Sequence, residues 1–220
     1  SLGYKYFWYT DVRFARECYI GLTSVALATK KILVATGVTD PYSRHPAITA
    51  AAIATLDEIS NGRAVLGLGA GGAGFNELGL KAHLPIAAMR EAIEIIRGLF
   101  RGETVTKNGK IISIDGGALS FKPYRSKVPI FIATHGLQMS YLAGRIADGM
   151  WIANTLNPSA LQMYLDKIDQ GLNKENRSEE SLHLGLRVEA CISSDTEQAI
   201  NIMIVVVMDY TFCVCETWVG

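Results

Sequence analysis

The apolar positions change period repeatedly along this chain, and the changes mark out its elements. Tyr4–Tyr9 reads as a strand that stops at Thr10-Asp11, and Glu17–Ala28 reads as a helix. Ile32–Thr36 is a short apolar run of the kind found in strands buried on both faces. From Ala47 to Ile59 the spacing is helical, with Ile48, Ala51, Ala52, Leu56 and Ile59 as its apolar positions. Pro46 suits its first turn, where no N–H is needed, and Asn61-Gly62 ends it with a left-handed cap. Ala64–Leu68 is the next strand. Ala87–Phe100 then gathers Met89, Ile93, Ile96 and Phe100 on one face, with Arg90, Glu91, Glu94 and Arg97 largely turned away.

Residues 102–122 break the rhythm. Asn108-Gly109 stands between Val105 and the run Ile111–Ile114, which predicts a β-hairpin inserted into the main pattern. The pattern then resumes: strand Pro129–Ala133, helix Leu137–Ile146, strand Gly149–Ala153, helix Ala160–Leu172, strand Leu184–Ile192, and a helix from Thr196 onward. Short apolar strands alternating with helices imply a parallel sheet with helices outside. About six β/α units are present. An open doubly wound sheet and a barrel both remain open, and a complete barrel needs eight units over typically about 250 residues.

Composition narrows the function classes. With 220 residues, 49% of them hydrophobic and 19% charged, the chain has the makings of one well-packed domain. Its 21 basic and 21 acidic side chains balance to a formal net charge of zero, so nothing points to nucleic acid. No run is long and apolar enough to span a membrane: Ile200–Val214 is interrupted by Asn201 and Asp209 and reads as a buried helix or strand. Cys18, Cys191, Cys213 and Cys215 form no zinc set and read as reduced structural thiols. With no signal peptide in view, the expected location is the cytoplasm.

In either closure, ligands gather at the carboxyl ends of the strands. The loops there are Asp11–Arg13, Gly37–Pro46, Gly69–Asn76, Thr134–Met139 and Asn154–Asn157. Gly67-Leu-Gly69-Ala-Gly71-Gly72 matches a dinucleotide fingerprint, but Gly74, Gly79 and Pro85 intervene before the next helix, whose N-terminus should directly face a pyrophosphate. Three readings of this loop remain: a dinucleotide site, a turn that merely redirects the chain, and a close backbone approach to a flat ring. Thr134-His135-Gly136 precedes a helix whose exposed N–H groups would favour a phosphate, or else it only shapes a turn. Arg44-His45 reads first as a structural or surface pair. Asp11 and Asp40 each suit a cap, a turn, or a polar cofactor edge. No GxSxG elbow, no GxxxxGK[ST] loop and no metal triad occurs, so a borrowed cofactor accounts better for any chemistry than a nucleophile of the chain's own.

The run Thr36-Gly-Val-Thr-Asp-Pro-Tyr-Ser-Arg-His-Pro46, then Ala54-Thr-Leu-Asp-Glu-Ile-Ser-Asn-Gly-Arg63 and Leu66-Gly-Leu-Gly-Ala-Gly71, resembles the luciferase-like monooxygenases. Within them it looks closest to the deazaflavin-dependent methylenetetrahydromethanopterin reductases. Pro129–Ala133 and Ala143–Gly149 fit the same pattern, so the resemblance covers roughly residues 1–200. It implies a (β/α)8 TIM-type barrel, incomplete here, with the hairpin near 102–122 as its insertion. It also implies a single domain over 1–220 whose first strand lies before Ser1 and whose last units lie beyond the seventh strand, and the tail after Ile202 matches poorly.

By the same resemblance the cofactor is coenzyme F-420 (a deazaflavin) or FMN, and the reaction is hydride transfer with a small organic substrate such as a methylene-tetrahydropterin. Asp11, Gly37, Val38 and Asp40 would meet its ring, with a non-proline cis peptide at Gly37-Val38. Gly69, Ala70 and Gly71 would line its path with Asn76 nearby, and His135, Gly136, Gln138 and Met139 would meet its phosphate. The chain departs from the family at Val12, where histidine is common, at Asp40, where Asn or Thr is common, and at Gly72, where an acid is frequent. No acid or base is therefore assigned. The rival expectations are a non-catalytic relative that only binds cofactor or partner, and an NAD(P)-dependent enzyme on an open sheet. Relatives commonly pair through barrel helices, so a homo-oligomer is expected, with no nucleic-acid or membrane partner.

Overall fold

Each apolar run of the sequence becomes one layer of a β/α alternation: β1 (Tyr6–Tyr9), α1 (Cys18–Ala28), β2 (Leu33–Thr36), α2 (Pro46–Ile59), β3 (Ala64–Leu68), α3 (Pro85–Phe100), a hairpin of β4 (Val105–Asn108) and β5 (Ser113–Gly117), β6 (Ile130–Thr134), α4 (Leu137–Ile146), β7 (Gly149–Ala153), α5 (Pro158–Lys174) and β8 (His183–Arg187). The computed structural model describes residues 3–72, 74–153, 157–188 and 191–203. Six strands lie side by side in the order β1-β2-β3-β6-β7-β8, all parallel, and curl as an incomplete barrel. This decides between the two closures that the sequence left open.

Alternation along the strands divides the apolar residues between two faces. Val34, Leu66, Leu68, Ile130, Ile132, Met150 and Ile152 face the helices and pack with Leu22, Ile53, Met89, Ile93, Ile96, Leu142 and Ile168. The inner face carries Tyr6, Trp8, Leu33, Ala35, Val65, Phe131 and Trp151. There Trp8 meets Trp151 at 4.3 Å between ring centroids and Phe131 at 5.4 Å. A Cβ at Gly149 would strike the Phe131 ring, so a strand that passes this aromatic wall needs glycine.

The amino end of the sheet is closed by buried polar ties. Asp57 is fully buried and takes the Arg125 guanidinium on both oxygens, with the shortest contact at 2.5 Å, and also accepts the Ala64 N–H at 3.2 Å. Arg63 donates to the carbonyls of Ala26, Thr29, Ile32 and Ser60. Conserving such ties would stabilise a barrel from the face opposite its chemistry.

Some boundaries differ from the sequence reading, for physical reasons. The hairpin turn is not the two residues Asn108-Gly109: Asn108 pairs with Ser113 within the ladder, and residues 109–112 form the loop. That loop is held by Glu91 of α3, whose carboxylate accepts the N–H groups of Lys110 (2.8 Å), Ile111 (3.1 Å) and Ile112 (3.0 Å). α3 starts two residues earlier than expected, with Pro85 in its first turn. β8 stops at Arg187, short of Ile192. Residues 196–203 are helical as expected, whereas the rest of the apolar tail, with Cys213 and Cys215, lies outside the described residues. Among the described residues Cys18 and Cys191 are free, no helix is long and apolar enough to cross a membrane, and no group of His, Cys, Asp or Glu is placed to hold a metal.

Candidate active site

Parallel strands bring all their carboxyl ends to one rim, so the loops after β1, β2, β3 and β6 become neighbours. At β2 the chain runs through a cis Gly37-Val38 peptide. Gly37 N–H donates to the Tyr9 carbonyl at 2.7 Å, which ties this turn to the end of β1. Past it, Thr39 re-enters the ladder: its N–H reaches the Gly67 carbonyl at 3.0 Å and its carbonyl accepts the Gly69 N–H at 2.8 Å. Buried Thr36 strengthens the same junction, since its hydroxyl donates to the Gly67 carbonyl at 2.8 Å and accepts the Gly67 N–H at 2.9 Å.

The glycines of this rim also meet a steric need within the chain itself. A Cβ at Gly67 would run into the Thr36 carbonyl, and one at Gly69 would stand 2.7 Å from Val38 Cγ2. At Gly71, φ of +97° and the Phe75 ring both bar a side chain. These glycines admit the chain to itself: they let the Gly37–Thr39 turn lie flat across β3. Gly72, by contrast, faces room, with nothing within 4 Å of its would-be Cβ.

Asp40 is 2% exposed, and the structure engages both of its oxygens within the loop. Oδ1 accepts the N–H groups of Tyr42 and Ser43 at 2.8 Å each, and Oδ2 accepts the Ser43 hydroxyl at 2.6 Å and pairs with Arg13. Asp40 thus organises the turn. Asp11 is half-buried and its carbonyl accepts from Arg13 Nη1 at 2.7 Å. Gly37, Val38 and Ala70 are half-buried, Gly69 is buried, and Asn76 is exposed in a turn where its carbonyl accepts the Gly79 N–H.

At the far side of the rim, Gly136 is the N-cap of α4 and no side chain caps that helix. Its first turn therefore presents N–H groups, those of Leu137, Gln138 and Met139, at the positive end of the helix dipole. The Met139 side chain is buried in the core, so it can offer a ligand only its N–H, while Gln138 is exposed. His135 keeps an exposed edge. Desolvation of the rest of its ring and the nearby Arg187 charge lower its pKa, against a backbone hydrogen bond with Ala153 that raises it. The imidazole is thus biased toward neutrality. The Tyr164 hydroxyl holds this turn by donating to the His135 carbonyl at 2.8 Å.

Two further ties escape a reading of the sequence. Arg44 pairs with Glu17 at 3.0 Å and lies over the Tyr19 ring at 4.6 Å, joining the loop after β2 to α1. The Tyr19 phenol, pushed up to about 12 chiefly by burial, faces Thr39 without reaching good hydrogen-bond geometry. His45 caps α2 through Nδ1, which accepts the Ala47 N–H at 3.1 Å, and its Nε2 lies 3.1 Å from the Ser113 carbonyl of the hairpin. This bears out the structural reading of Arg44-His45. The only sequence signal for these ties is a charged side chain in a strand-end loop with no partner at helical spacing.

Comparison with known proteins places this geometry. The model of the luciferase-like monooxygenase family matches residues 1–213. The 5,10-methylenetetrahydromethanopterin reductase of Archaeoglobus fulgidus is 39% identical over 206 residues, 93% of this chain and 61% of that protein. An F-420-dependent glucose-6-phosphate dehydrogenase of Microbacterium testaceum is 32% identical over 88% of this chain and 59% of its own length. Among solved structures, the coenzyme F-420 dependent tetrahydromethanopterin reductase of Methanopyrus kandleri superposes with a TM-score of 0.83 at 31% identity, over 92% of this chain and 63% of that one. The chain therefore spans about three fifths of the length of the relatives it matches. A six-stranded parallel barrel segment with its loops gathered on one rim, matched by one family model from residue 1 to 213, belongs to the luciferase-like monooxygenase family.

Proposed function

We propose that this chain is the cofactor-seating part of an oxidoreductase that uses coenzyme F-420 or, failing that, FMN, and acts on a small organic substrate such as a methylene-tetrahydropterin. The observation that carries the reading is the convergence on one rim of the Gly37–Val38 turn, the Gly69–Gly71 backbone and the uncapped start of α4. A flat ring with an anionic tail needs backbone at one end and N–H donors at the other, so the groups present suit it. The relatives named F-420-dependent favour the deazaflavin over FMN.

When bound, such a cofactor supplies a ring atom that accepts or gives a hydride. The chain's own part is binding and orientation. Asp11, Gly37, Val38 and Asp40 would form the ring end, with Asp40 acting through the turn it holds. Gly69, Ala70 and Gly71 would line the middle, with Asn76 at the margin, and His135, Gly136, Gln138 and Met139 would take the phosphate. Val12 is apolar and Gly72 has no side chain, so neither moves a proton.

Titration with oxidised F-420, FMN, NAD and NADP, followed by fluorescence quenching, tests the reading. Saturable binding of F-420 is expected. Binding of a nicotinamide dinucleotide alone would replace the reading with a dinucleotide enzyme, and no binding by folded protein would leave a non-catalytic relative.

We also infer a homo-oligomer. α1 is apolar over most of its surface, with outward Ile20 and Leu27 69% and 72% exposed around Ser24, and α2, which packs against it, exposes Ile48. Large apolar side chains exposed on an outer helix face mark a surface that becomes covered. Light scattering that reports a monomer would refute this. The expected setting is the cytoplasm.

A further inference from the structure

The ring end and middle of the proposed seat are made from three loops, those after β1, β2 and β3, which no strand ladder holds together beyond Thr39, and one side chain touches all three. Arg13, in the loop after β1, donates from Nη1 to the Asp11 carbonyl at 2.7 Å and from Nη2 to the Ser43 hydroxyl at 2.9 Å, and pairs with Asp40. Asp40 and Ser43 belong to the loop after β2. The guanidinium also lies over the Phe75 ring, 5.2 Å from its centroid, and the stem lies where a Cβ on Gly74 would be, 2.6 Å from Arg13 Cβ. Phe75 and Gly74 belong to the loop after β3. The Arg13 side chain is 13% exposed and the Asp40 side chain 2%.

We propose that Arg13 is a positioning residue for the ring end of the seat: its guanidinium sets the Asp40–Ser43 segment that follows the Gly37–Val38 turn against the Gly74–Phe75 segment that follows Gly69–Gly71, before any cofactor arrives. This rests on the reading of the rim as a deazaflavin or flavin seat. The chemistry of the side chain argues for it. A planar fork can donate in two directions and stack on an aromatic face at once, and an ammonium on a flexible stem cannot. Each partner is itself fixed in its loop: Asp40 by three donors of its own turn, and Phe75 by its N–H to the Gly72 carbonyl at 3.2 Å and by its close fit over Gly71. Arg13 adds a fixed spacing between turns, alongside Tyr42, which donates to the His83 carbonyl at 2.8 Å and meets the Phe75 ring edge-on. Preorganisation of this kind reduces the ordering that binding would otherwise require.

The test compares wild type with Arg13→Lys and Arg13→Met by three measurements on the same folded chain. In the first, hydrogen exchange without ligand should quicken in both variants at residues 40–44 and 74–78, and not in α3 or β6. Unchanged exchange at those loops overturns the proposal whether or not any cofactor binds. In the second, the F-420 and FMN dissociation constants should rise roughly tenfold in Arg13→Lys, as for one lost charge-assisted hydrogen bond. In the third, the visible circular dichroism of the ring at full saturation should change in Arg13→Lys, since it reports how the ring sits. A merely structural arginine would lower the melting temperature and leave that signal alone, and this outcome overturns the proposal. If wild type binds neither cofactor, the reading of the rim fails, and the exchange measurement still judges Arg13 as the tie between the loops.

Discussion

Thr36→Val is a sharp probe of the junction beneath the Gly37-Val38 turn. Valine has nearly the shape of threonine and leaves no cavity at this fully buried position, so the change isolates the hydroxyl. That hydroxyl both donates to the Gly67 carbonyl and accepts the Gly67 N–H, at 2.8 and 2.9 Å. The carbonyl keeps a second donor, the Thr39 N–H at 3.0 Å, so its loss is small. The N–H loses its side-chain acceptor in a place sealed from water, and a buried donor left unmade costs about 1–3 kcal/mol. We expect roughly 2 kcal/mol of destabilisation, or about 4–8 °C in the melting temperature of a domain this size. Calorimetry of wild type, Thr36→Val and Thr36→Ser should place the serine variant between wild type and valine, because it keeps the hydroxyl and loses only one buried methyl, about 1 kcal/mol. A valine variant that melts with wild type, or a serine variant that falls as far as valine, would show that the hydrogen bonds do not hold this junction.

Other perturbations follow from the same geometry. Burial pushes the Glu91 carboxyl up, but the N–H groups of Lys110, Ile112 and Ile111 outweigh it, so its folded pKa lies below the usual carboxylate value. A depressed acid stabilises fully above its unfolded pKa, about 4.3, and that contribution fades as pH falls through the folded value. Urea midpoints from neutral to acid pH should thus fall less steeply below about pH 4.3 in Glu91→Gln than in wild type, and parallel curves would remove Glu91 from the account. Asp57→Ala strands Arg125 and should cost about 3 kcal/mol by urea denaturation, the low end for breaking a buried pair because the Arg125 side chain stays 31% exposed. Gly67→Ala drives a methyl into the Thr36 carbonyl and within 3.0 Å of Trp8 and Val38. It should abolish deazaflavin binding in titration, and wild-type affinity would refute the packing described for the rim.

Much of the architecture is legible in the sequence because its strongest signals are local. The apolar runs of β2, β3 and β7 and the one-sided face of α3 each carry their own period, and Asn61-Gly62 is a cap wherever it stands. Positive φ at both residues, +55° and +78°, agrees. What the sequence hides is decided by partners far along the chain. The length of the hairpin turn depends on Glu91, some twenty positions earlier. That Asp40 also ties two loops together depends on Arg13, and the need for glycine at Gly67 and Gly69 depends on Thr36 and Val38. Composition cannot distinguish a glycine that admits a ligand from one that admits its own chain, because the steric requirement is the same.

The aromatic wall on the concave side also has an optical meaning. Trp8 and Trp151 come from strands four positions apart in the sheet, and their rings meet at 4.3 Å with 60° between planes. Two indoles so close and so inclined exchange excitation, and the sign and size of the resulting near-ultraviolet doublet depend on their mutual angle. Any loosening of the barrel alters that angle before a strand detaches. The fold thus carries its own goniometer: the indoles on β1 and β7 report on the curvature of the sheet.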